Sequence, residues 1–280
     1  MVDQVKVIFK AIEFIESHLK EDITVAQIAD AAGYSLFHFM RKFNQIVHHT
    51  PYDYLMRRRL TEAAKALIQN EQRIIDIALD FAFNDQETFS RVFRKMFQIT
   101  PSQCRKENGI SFQFLLQAKT LDELKFINSD HFSIPLVIEV EELTLTGLMI
   151  ALDKNEQKVA TQKKQVLSDF LSACSLPKLA TLYEIEYGLN HQFGKRYSFV
   201  GAEKEKLIRS SALLVDQTIN KGRFVKMEVL ESEMSLALAY IHTTWIPRVG
   251  LVENKEMFVC GWRYDATLKE RTIFILIPVK

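Results

Sequence analysis

Several features that mark other classes of protein are scarce or missing in this sequence of 280 residues. The three cysteines, Cys104, Cys174 and Cys260, are odd in number and widely spaced, which disfavours a disulfide framework and a metal site and favours a reducing cytoplasm. No apolar run reaches the roughly 18 residues that indicate a transmembrane helix. The first residues place acidic side chains inside their apolar stretch and lack a small-residue cleavage site, so no secretory signal is predicted. These absences predict a cytoplasmic protein with no membrane partner.

Patterns typical of catalysis are missing as well. The sequence contains no glycine-rich phosphate loop and no G-x-S-x-G motif. Its seven histidines are scattered, and the pair His48-His49 has no carboxylate that we recognise at ligand spacing. We therefore expect no enzyme, no catalytic residues, no cofactor and no metal.

Charge is informative through its distribution and not through its sum, which is a formal net charge of +1. Residues 89–106 hold five basic side chains and no acid, and residues 34–60 hold five basic side chains against one acid, Asp53. Such local basic patches are expected where a protein contacts phosphates, although a solvated helix face has the same composition. In the second patch, the run Arg57-Arg58-Arg59 cannot be buried entirely by a helix.

The sequence contains an internal repeat, in which Ile28–Pro51 is written a second time as Ile77–Pro101. The matching pairs, offset by 49 and then 50 residues, are Ile28 and Ile77, Ala29 and Ala78, Tyr34 and Phe83, Phe39 and Phe89, Arg41 and Arg91, Phe43 and Phe93, and Thr50-Pro51 and Thr100-Pro101. Each copy is predicted as helix, turn, helix, the turn of the first copy containing Gly33. Two such units on one chain favour a protein that contacts two places on one partner, and DNA is the partner that this motif favours.

Capping residues delimit the predicted helices of this half. Two capping boxes are predicted, one formed by Thr24 with Gln27 and one by Thr100 with Gln103. Ser35 is expected to cap the second helix of the first copy. Residues 84–87 are expected to cap the equivalent helix of the second copy, with Glu87 closing a capping box. The predicted helices are residues 3–20, one that follows Thr24 and ends at Gly33, Leu36 to about Val47, Pro51 to about Ile68, 73–81, one that begins after residues 84–87, and a short one from residue 101. The helix that starts at Pro51 is predicted to be a rigid rod between the copies.

The second helix of each copy has an apolar stripe of two phenylalanines, and the side chains on the opposite side of the helix are predicted to face outward. The predicted outward residues are Phe37, Met40, Arg41 and Asn44 in the first copy, and Gln86, Thr88, Arg91 and Arg94 or Lys95 in the second. Exposed Phe and Met are unusual in plain solvent, but they suit thymine methyls, while Arg and Asn suit base edges and phosphates.

Residues 5–107 resemble the DNA-binding domain of the AraC/XylS transcription regulators, above all in Ile77-Ala78 and FNDQETFSRVFRKMFQITPSQCR. The resemblance implies a regulator, either an activator or a repressor, that lays two recognition helices into successive major-groove faces of double-stranded promoter DNA, with RNA polymerase as a further expected partner. The base-reading positions that it implies are Phe37, Met40, Arg41, Gln86, Glu87, Thr88 and Arg91. Arg41 and Arg91 could each bind guanine or a phosphate, and Glu87 could accept from cytosine or only cap its helix.

Two departures from the family pattern affect the second copy. The family usually has glycine in the second turn, where this chain has Ala82. Asp85 and Glu87 place negative charge at the start of the second recognition helix, which weakens its attraction for phosphates. We therefore expect the first recognition helix to contribute more of the affinity.

The second half of the chain changes character. We assign residues 1–107 to the DNA-binding domain, 108–133 to a linker that includes a packed helix near 111–126, and 134–280 to a second domain. Strand, helix, strand, strand is predicted twice, with strands in 134–152, 179–187, 196–204, 222–230, 257–264 and 272–279 and helices in 156–174 and 232–245. The predicted fold class is multidomain, an all-α double helix-turn-helix domain followed by an α+β domain of two strand-helix-strand-strand repeats.

This second domain resembles the gyrase-inhibitory-protein-like effector-binding domains in AYIHTTWIPRVGL, MFVCGWRYD and IFILIPVK. The resemblance implies a sensor of small molecules with an aromatic lining, for which the candidate residues are Tyr183, Tyr187, Tyr197, Trp245, Phe258 and Trp262, with Tyr264 beside them. Many of these domains neutralise a cationic ligand with a glutamate where this chain has Val259.

Three nearby glutamates are poor replacements for it, since Glu184 and Glu186 are predicted on the strand face opposite to Tyr183 and Tyr187, and Glu256 near a strand end. A neutral or amphipathic effector is therefore favoured over a cation. A protein-interaction module and a small-molecule hydrolase remain the alternatives.

Overall fold

The computed structural model describes residues 2–69, 71–107, 110, 115–153, 155–177, 180–187, 196–207, 213–253, 257–263 and 271–280. Two compact units divide the chain, one made of Met1–Phe132 with His242–Thr244 and the other of Ser133–Ile241 with Trp245–Lys280. The candidates Tyr264 and Glu256 lie outside the described residues.

The first unit is helical. Its helices are α1 (Val2–Ser17), α2 (Val25–Ala31), α3 (Leu36–Val47), α4 (Pro51–Gln69), α5 (Ile74–Asp80), α6 (Gln86–Phe97), α7 (Pro101–Lys106) and α8 (Leu121–Ile127). The predicted capping boxes at Thr24 and Thr100 are both confirmed. Each threonine side chain accepts from the backbone N–H of its glutamine, and each glutamine side chain accepts from the backbone N–H of its threonine. Ser35 is the N-cap of α3, but it makes no capping hydrogen bond. Helix α8 falls in the segment that was expected to link the domains.

The two copies of the repeat have nearly the same local geometry. Helices α3 and α6 have 12 residues each, and the ring pairs Phe39–Phe43 and Phe89–Phe93 both lie 5.4 Å apart at 56°. Each helix ends on a left-handed residue, with φ of 60° and 63°. The turn before each helix is left-handed too, with φ of 70° at Gly33 and 58° at Ala82. Ala82 thus adopts the backbone conformation for which the family uses glycine.

Helix α4 joins the hydrophobic cores of the two copies. Its N-terminal half buries Tyr54 and Leu55, and the ring of Tyr54 lies against that of Phe43 in the first copy. Its C-terminal half buries Leu60, Ala63, Ala64 and Leu67 in one cluster with the phenylalanines of α6. A continuous helix between two cores resists bending, because bending would open both of them.

The second unit is strand-rich. Its elements are β1 (Leu136–Val140), β2 (Leu143–Leu152), α9 (Glu156–Ala173), β3 (Thr181–Tyr187), β4 (Arg196–Glu203), β5 (Val215–Ile219), β6 (Gly222–Leu230), α10 (Met234–Tyr240), α11 (Ile246–Val249), β7 (Met257–Arg263) and β8 (Thr272–Val279). The described strands form one antiparallel sheet in the order β1-β6-β8-β7-β3-β4-β2-β5. Strand β5 was not predicted. The single helix expected over 232–245 is instead a 3₁₀ turn, α10 and a π-helical turn, Ile241–Trp245.

The sheet is curled into a half-barrel. Strands β1 and β2 are first and seventh in the sheet, yet only residues 141–142 connect them, and β5 and β6 are eighth and second with only residues 220–221 between them. Such connections reach about 10 Å, whereas six strand spacings in a flat sheet amount to about 29 Å. The two ends of the sheet therefore lie close together, and an ion pair of 2.9 Å between Glu141 and Lys221 joins the two connections.

One face of this sheet, here called the tyrosine face, lies inside the curl. On β3 it carries Tyr183, Ile185 and Tyr187. Side chains from the opposite ends of the sheet, Ile219 and Phe224 among them, share one buried cluster with Tyr183 and Ile185. The other face of β3 contacts α9, as the ion pairs of Lys163 with Glu184 and Glu186 show.

Candidate nucleic-acid interface

Helix α3 exposes an apolar and basic stripe. Phe37 is 82% exposed and Met40 is 47% exposed, whereas Phe39 and Phe43 on the opposite side are fully buried. The other two predicted residues of the stripe, Arg41 and Asn44, are exposed as well. The helical period of 3.6 residues separates the two sides, and the core phenylalanines fix which side faces outward.

Helix α6 exposes a more polar stripe at equivalent positions. Gln86, Glu87, Arg91 and Lys95 are exposed, and Thr88 is half-buried. Arg94, the alternative to Lys95 in the sequence, is exposed too, so both basic residues are available on this helix. The structure thus brings the predicted residues of the second copy to one surface.

The start of α6 differs from its predicted form. The N-cap is Asp85, whose carboxylate accepts from the Thr88 backbone N–H at 2.7 Å and from the Thr88 hydroxyl at 3.0 Å. These hydrogen bonds lower the pKa of Asp85 below its usual value. The predicted capping box is wrong, because with Asp85 as cap Glu87 is the second helical residue and not the third, which such a box requires. The carboxylate of Glu87 is exposed.

Two members of the arginine run are structural. Arg58 is buried, and its guanidinium donates to Glu16 and Glu62 and to the carbonyl of Leu116. Arg59 is buried too and donates to the carbonyls of Leu19 and Glu21. The interpretation of this run as part of a phosphate-contacting patch is therefore wrong for Arg58 and Arg59, since their donors satisfy groups within the unit. The sequence signals only Glu62, four residues from Arg58, because the other partners lie 38 to 58 residues away.

The basic patch of the second copy loses one member for the same reason. Arg105 donates to the backbone carbonyl of Leu67 in the last turn of α4 at 3.1 Å and to that of Gln72, beyond the end of this helix, at 2.6 Å. The exposed basic residues that remain on the two recognition helices are Arg41, Arg91, Arg94 and Lys95. Within the described part of the chain, none of these four side chains makes an ion pair.

The buried histidine His49 has a carboxylate partner that was not predicted. His49 has its Nδ1 2.7 Å from the Oδ2 atom of Asp53, four residues further on, so the expectation of no carboxylate partner was wrong. Burial lowers the pKa of His49, although Asp53 acts in the opposite direction. Among the described residues, no group of three or more His, Cys, Asp and Glu side chains could hold a metal ion. No described helix is both long and apolar enough to cross a membrane.

In the strand-rich unit, the structure brings together only part of the predicted ligand lining. Tyr183, Tyr187 and Tyr197 share the tyrosine face, since Tyr197 pairs with Tyr187 across β3 and β4. Phe258 and Trp262 lie on the opposite face, because they pair with Glu186 and Leu182 and paired residues point to the same side. The grouping of these two residues with the tyrosines was therefore wrong. The remaining candidate, Trp245, is half-buried in the π-helical turn.

Polar groups accompany the tyrosines. The hydroxyl of Tyr183 lies 3.3 Å from the Oε1 atom of Glu203, and that of Tyr187 donates to Gln217 over 3.1 Å. Burial, followed by the charge of Glu203, raises the pKa of Tyr183 well above its usual value. Glu203 and Gln217 were not among the predicted residues, because their approach to the tyrosines depends on strand pairing and on the curl of the sheet.

The glutamates considered as replacements for a pocket carboxylate are already neutralised. Glu184 and Glu186 face away from the tyrosines, as predicted, and both contact the ammonium group of Lys163, with Glu184 at 2.8 Å. Arg196 adds a second contact to Glu186 at 3.2 Å. Val259 is buried on the tyrosine face, so no charge occupies that position.

Comparisons with known proteins agree with the helical geometry. A helix-turn-helix domain family model matches residues 28–107. The regulatory protein SoxS of Escherichia coli (strain K12) is 40% identical over 100 residues, which are 36% of this chain and 94% of SoxS. The Right origin-binding protein of the same strain is 29% identical over an alignment of 305 residues that covers 100% of both chains. A solved AraC-type regulator from Chromobacterium violaceum has a TM-score of 0.36 and 28% identity, covering 37% of this chain and 92% of its own.

The match to SoxS extends over nearly the whole of that regulator, and the match to the helix-turn-helix family covers both copies of the repeat. SoxS is a regulatory protein, and the related Rob of Salmonella typhimurium is a transcriptional regulator. The chain therefore belongs to the AraC family of DNA-binding transcriptional regulators.

Proposed function

We propose that this regulator recognises a two-part promoter sequence by inserting α3 and α6 into successive major-groove faces on one side of double-stranded DNA. The observation that carries the proposal is the pair of matching outward stripes, held at the two ends of one rod. Helix α4 has 19 residues, about 28 Å at the α-helical rise. One turn of DNA is roughly 34 Å, the spacing that two readers on one side of a duplex require.

The two stripes favour different bases. Phe37 and Met40 offer apolar contacts to thymine methyls, and Arg41 beside them can donate two hydrogen bonds to guanine. On α6, Gln86 suits adenine and Arg91 suits guanine or a phosphate. Glu87 is available to accept from cytosine because Asp85 performs the capping. The hydroxyl of Thr88 donates to Asp85. The methyl group of Thr88 is therefore the part of this side chain that we expect to contact a base.

Electrostatics support a modest number of phosphate contacts. With Arg58, Arg59 and Arg105 bonded internally, the four exposed basic side chains of α3 and α6 carry the attraction of these helices. The logarithm of the binding constant falls with that of the salt concentration by about 0.9 per neutralised phosphate. If all four side chains contact phosphates, they contribute a slope of about −4, and if Arg41 and Arg91 contact guanines instead, the slope is about −2.

The second unit, in our proposal, is an effector-binding domain of the gyrase-inhibitory-protein-like type, built from two strand-helix-strand-strand repeats. Its support is the tyrosine face, where Tyr197 is 36% exposed and Tyr187 is half-buried at the edge of an apolar interior. Two tyrosine hydroxyls and an uncharged Val259 suit an amphipathic molecule with a neutral polar end, because the carboxylate of Glu203 beside Tyr183 is already paired with Lys206 at 2.7 Å. The effector would shift the activity of a regulator that acts on RNA polymerase at the promoter, as an activator or as a repressor.

DNA recognition is tested by selecting binding sites from a random duplex library with the full chain, followed by gel shifts at several salt concentrations. We expect a two-part site with its halves about one helical turn apart. Arg91→Ala should relax the preference at one base pair and weaken binding by roughly 1–3 kcal/mol if it contacts a base, or weaken all sequences alike if it contacts a phosphate. Binding without any sequence preference at moderate salt would refute the proposal.

Effector binding is tested on the full chain by following tryptophan fluorescence, because both tryptophans, Trp245 and Trp262, lie in the second unit. A ligand that binds the folded unit raises its melting temperature by mass action. We expect amphipathic neutral compounds to stabilise wild type and Tyr187→Ala to remove the effect. A compound that is consumed would indicate a hydrolase, and no response to any compound would favour an interaction module.

A further inference from the structure

The DNA-reading unit of this chain extends beyond the family's helix-turn-helix region. The family match ends at residue 107, but the first unit continues to Phe132. The segment 115–132, here called the strap, buries Leu115, Leu116, Leu124, Phe126 and Ile127. Its helix α8 contacts both α1 and α3. The strap is therefore part of the packed unit that carries the first recognition helix.

The strap completes the C-terminal end of α3. The side-chain amide of Asn128 donates to the Ile46 carbonyl at 2.9 Å and to the Leu124 carbonyl at 2.8 Å. Ile46 belongs to the last turn of α3, where the carbonyls have no partner within the helix. One amide group thus ties the end of α3 to the end of α8. A second contact lies beside it, where the ring of Phe132 meets that of His48, the left-handed cap of α3, at 6.1 Å.

The strap is itself anchored on the rod α4. The hydroxyl of Tyr54, which is fully buried, accepts from the backbone N–H of Lys119 at 3.0 Å. The guanidinium of Arg58 donates to the Leu116 carbonyl at 2.7 Å. Hydrogen bonds from buried, rigid side chains hold the strap in register with α4. The position of Asn128 against α3 is therefore determined by the rod as well as by α8.

The second recognition helix is completed differently. At the end of α6, the side chain of Gln98 donates to the Lys95 carbonyl at 3.0 Å, and Gln98 is an exposed residue of the same turn. Gln98 occupies the position that His48 occupies in the first copy. The C-terminal ends of the two recognition helices therefore differ, since Gln98 closes α6 within its own turn and Asn128 of the strap closes α3. The start of the strap also reaches the second copy, because Leu115 packs in the cluster that includes the phenylalanines of α6.

We infer that the strap is a positioning element for the first recognition helix, and that Asn128 is a positioning residue for the bases that α3 contacts. This inference rests on the proposed two-part DNA recognition. A recognition helix must be held to within a fraction of an ångström and some tens of degrees for side chains such as Phe37 and Arg41 to meet base edges. The amide of Asn128 supplies that restraint at the end of α3, and α6 does not depend on it.

The inference is tested with the full chain and Asn128→Asp, which keeps the shape of the side chain and removes its donor. Site selection with wild type defines the two parts of the site, and Phe37→Ala and Arg91→Ala assign them to α3 and α6. We expect Asn128→Asp to relax the base preference only in the part assigned to α3 and to weaken binding by about 3- to 10-fold. Lys125→Ala is the matched control, because this residue of α8 is exposed and, among the described residues, its side chain pairs with the neighbouring Asp122 alone.

The distribution of the effect between the two parts decides the outcome. A merely structural role for Asn128 would lower binding to both parts together, and that result, or no change in either part, overturns the inference. Should Asn128→Asp lose its helical circular dichroism, Phe132→Leu tests the neighbouring contact of the strap with the cap of α3, at His48, and is judged by the same distribution. If wild type itself selects no two-part site, the proposed recognition fails first, so the two failures are distinguishable.

Discussion

The two turns of the repeat offer a stability test with opposite signs. Gly33 and Ala82 hold the same left-handed backbone conformation, with φ of 70° and 58°. A Cβ atom added at Gly33 would meet no atom within 4 Å, so Gly33→Ala changes the backbone energy and no packing. Ala82→Gly is the reverse change in the second copy. The comparison isolates the energy of the left-handed conformation.

The magnitude follows from two opposing terms. An L-residue pays roughly 1–2 kcal/mol in the left-handed region, where its Cβ approaches the following carbonyl. Replacing glycine by alanine also restricts the unfolded chain, which returns about 0.4–1 kcal/mol to the folded state. Gly33→Ala should therefore lower the free energy of unfolding by about 1 kcal/mol, and Ala82→Gly should raise it by a similar amount.

Thermal unfolding of the full chain measures both changes. Circular dichroism at a helix-sensitive wavelength follows mainly the first unit, whereas both tryptophans lie in the second and report it separately. A change of 1 kcal/mol should move the melting temperature of the helical unit by about 3–6 °C, downward for Gly33→Ala and upward for Ala82→Gly. The double variant should melt close to wild type, since the sites lie in different copies.

Ala32→Gly is the matched control for this test. Ala32 precedes the first turn and has an ordinary right-handed conformation, with φ of −86°. There glycine gains nothing and costs about 0.5–1 kcal/mol in backbone entropy, so Ala32→Gly should destabilise the unit. If Ala82→Gly lowered the melting temperature as Ala32→Gly does, the assignment of strain to the second turn would be refuted.

Three further predictions concern the first unit. Phe37→Ala should leave the melting temperature nearly unchanged and weaken DNA binding in gel shifts, whereas Phe39→Ala should cost about 3–5 kcal/mol of stability in urea titrations, because only the second ring is buried. Arg58→Ala should cost about 3 kcal/mol, since it leaves two half-buried carboxylates and the buried carbonyl of Leu116 without their donor. Arg57→Ala should cost less than about 1 kcal/mol, since its carboxylate partner is 44% exposed; equal losses in thermal melts would contradict this difference. Burial acts to raise the pKa of Glu62, but hydrogen bonds from a lysine and Arg58 outweigh it and lower the pKa below the usual 4.5. Glu62 therefore stabilises the fold above pH 4.5 and loses that contribution as the pH falls through its lower folded pKa, so Glu62→Gln should be less stable than wild type in melts at pH 7 and equal to it in strong acid.

Short-range patterns in the sequence determined the helical unit. The capping boxes at Thr24 and Thr100, the phenylalanine stripes and the repeat itself depend on residues three to fifty positions apart, and the helical period converts them directly into faces. Phe37 and Arg91 were found on the outside for this reason. The predicted start of α6 was wrong by one residue, because Asn84 and Asp85 both suit an N-cap and only the folded backbone selects Asp85.

Long-range pairing decided the rest. The burial of Arg58 depends on Glu16 and Leu116, which the linear order separates from it by 42 and 58 residues. The separation of Phe258 from the tyrosines depends on strand register, and the approach of Tyr187 to Gln217 depends on the curl that brings the ends of the sheet together. The period of two in a strand shows which residues share a face but not which strand it pairs with. A side chain in the sequence likewise does not show which carbonyl will lie beside it. The sequence alone therefore determined which residues each recognition helix presents, and only the tertiary structure determined what holds those helices in place.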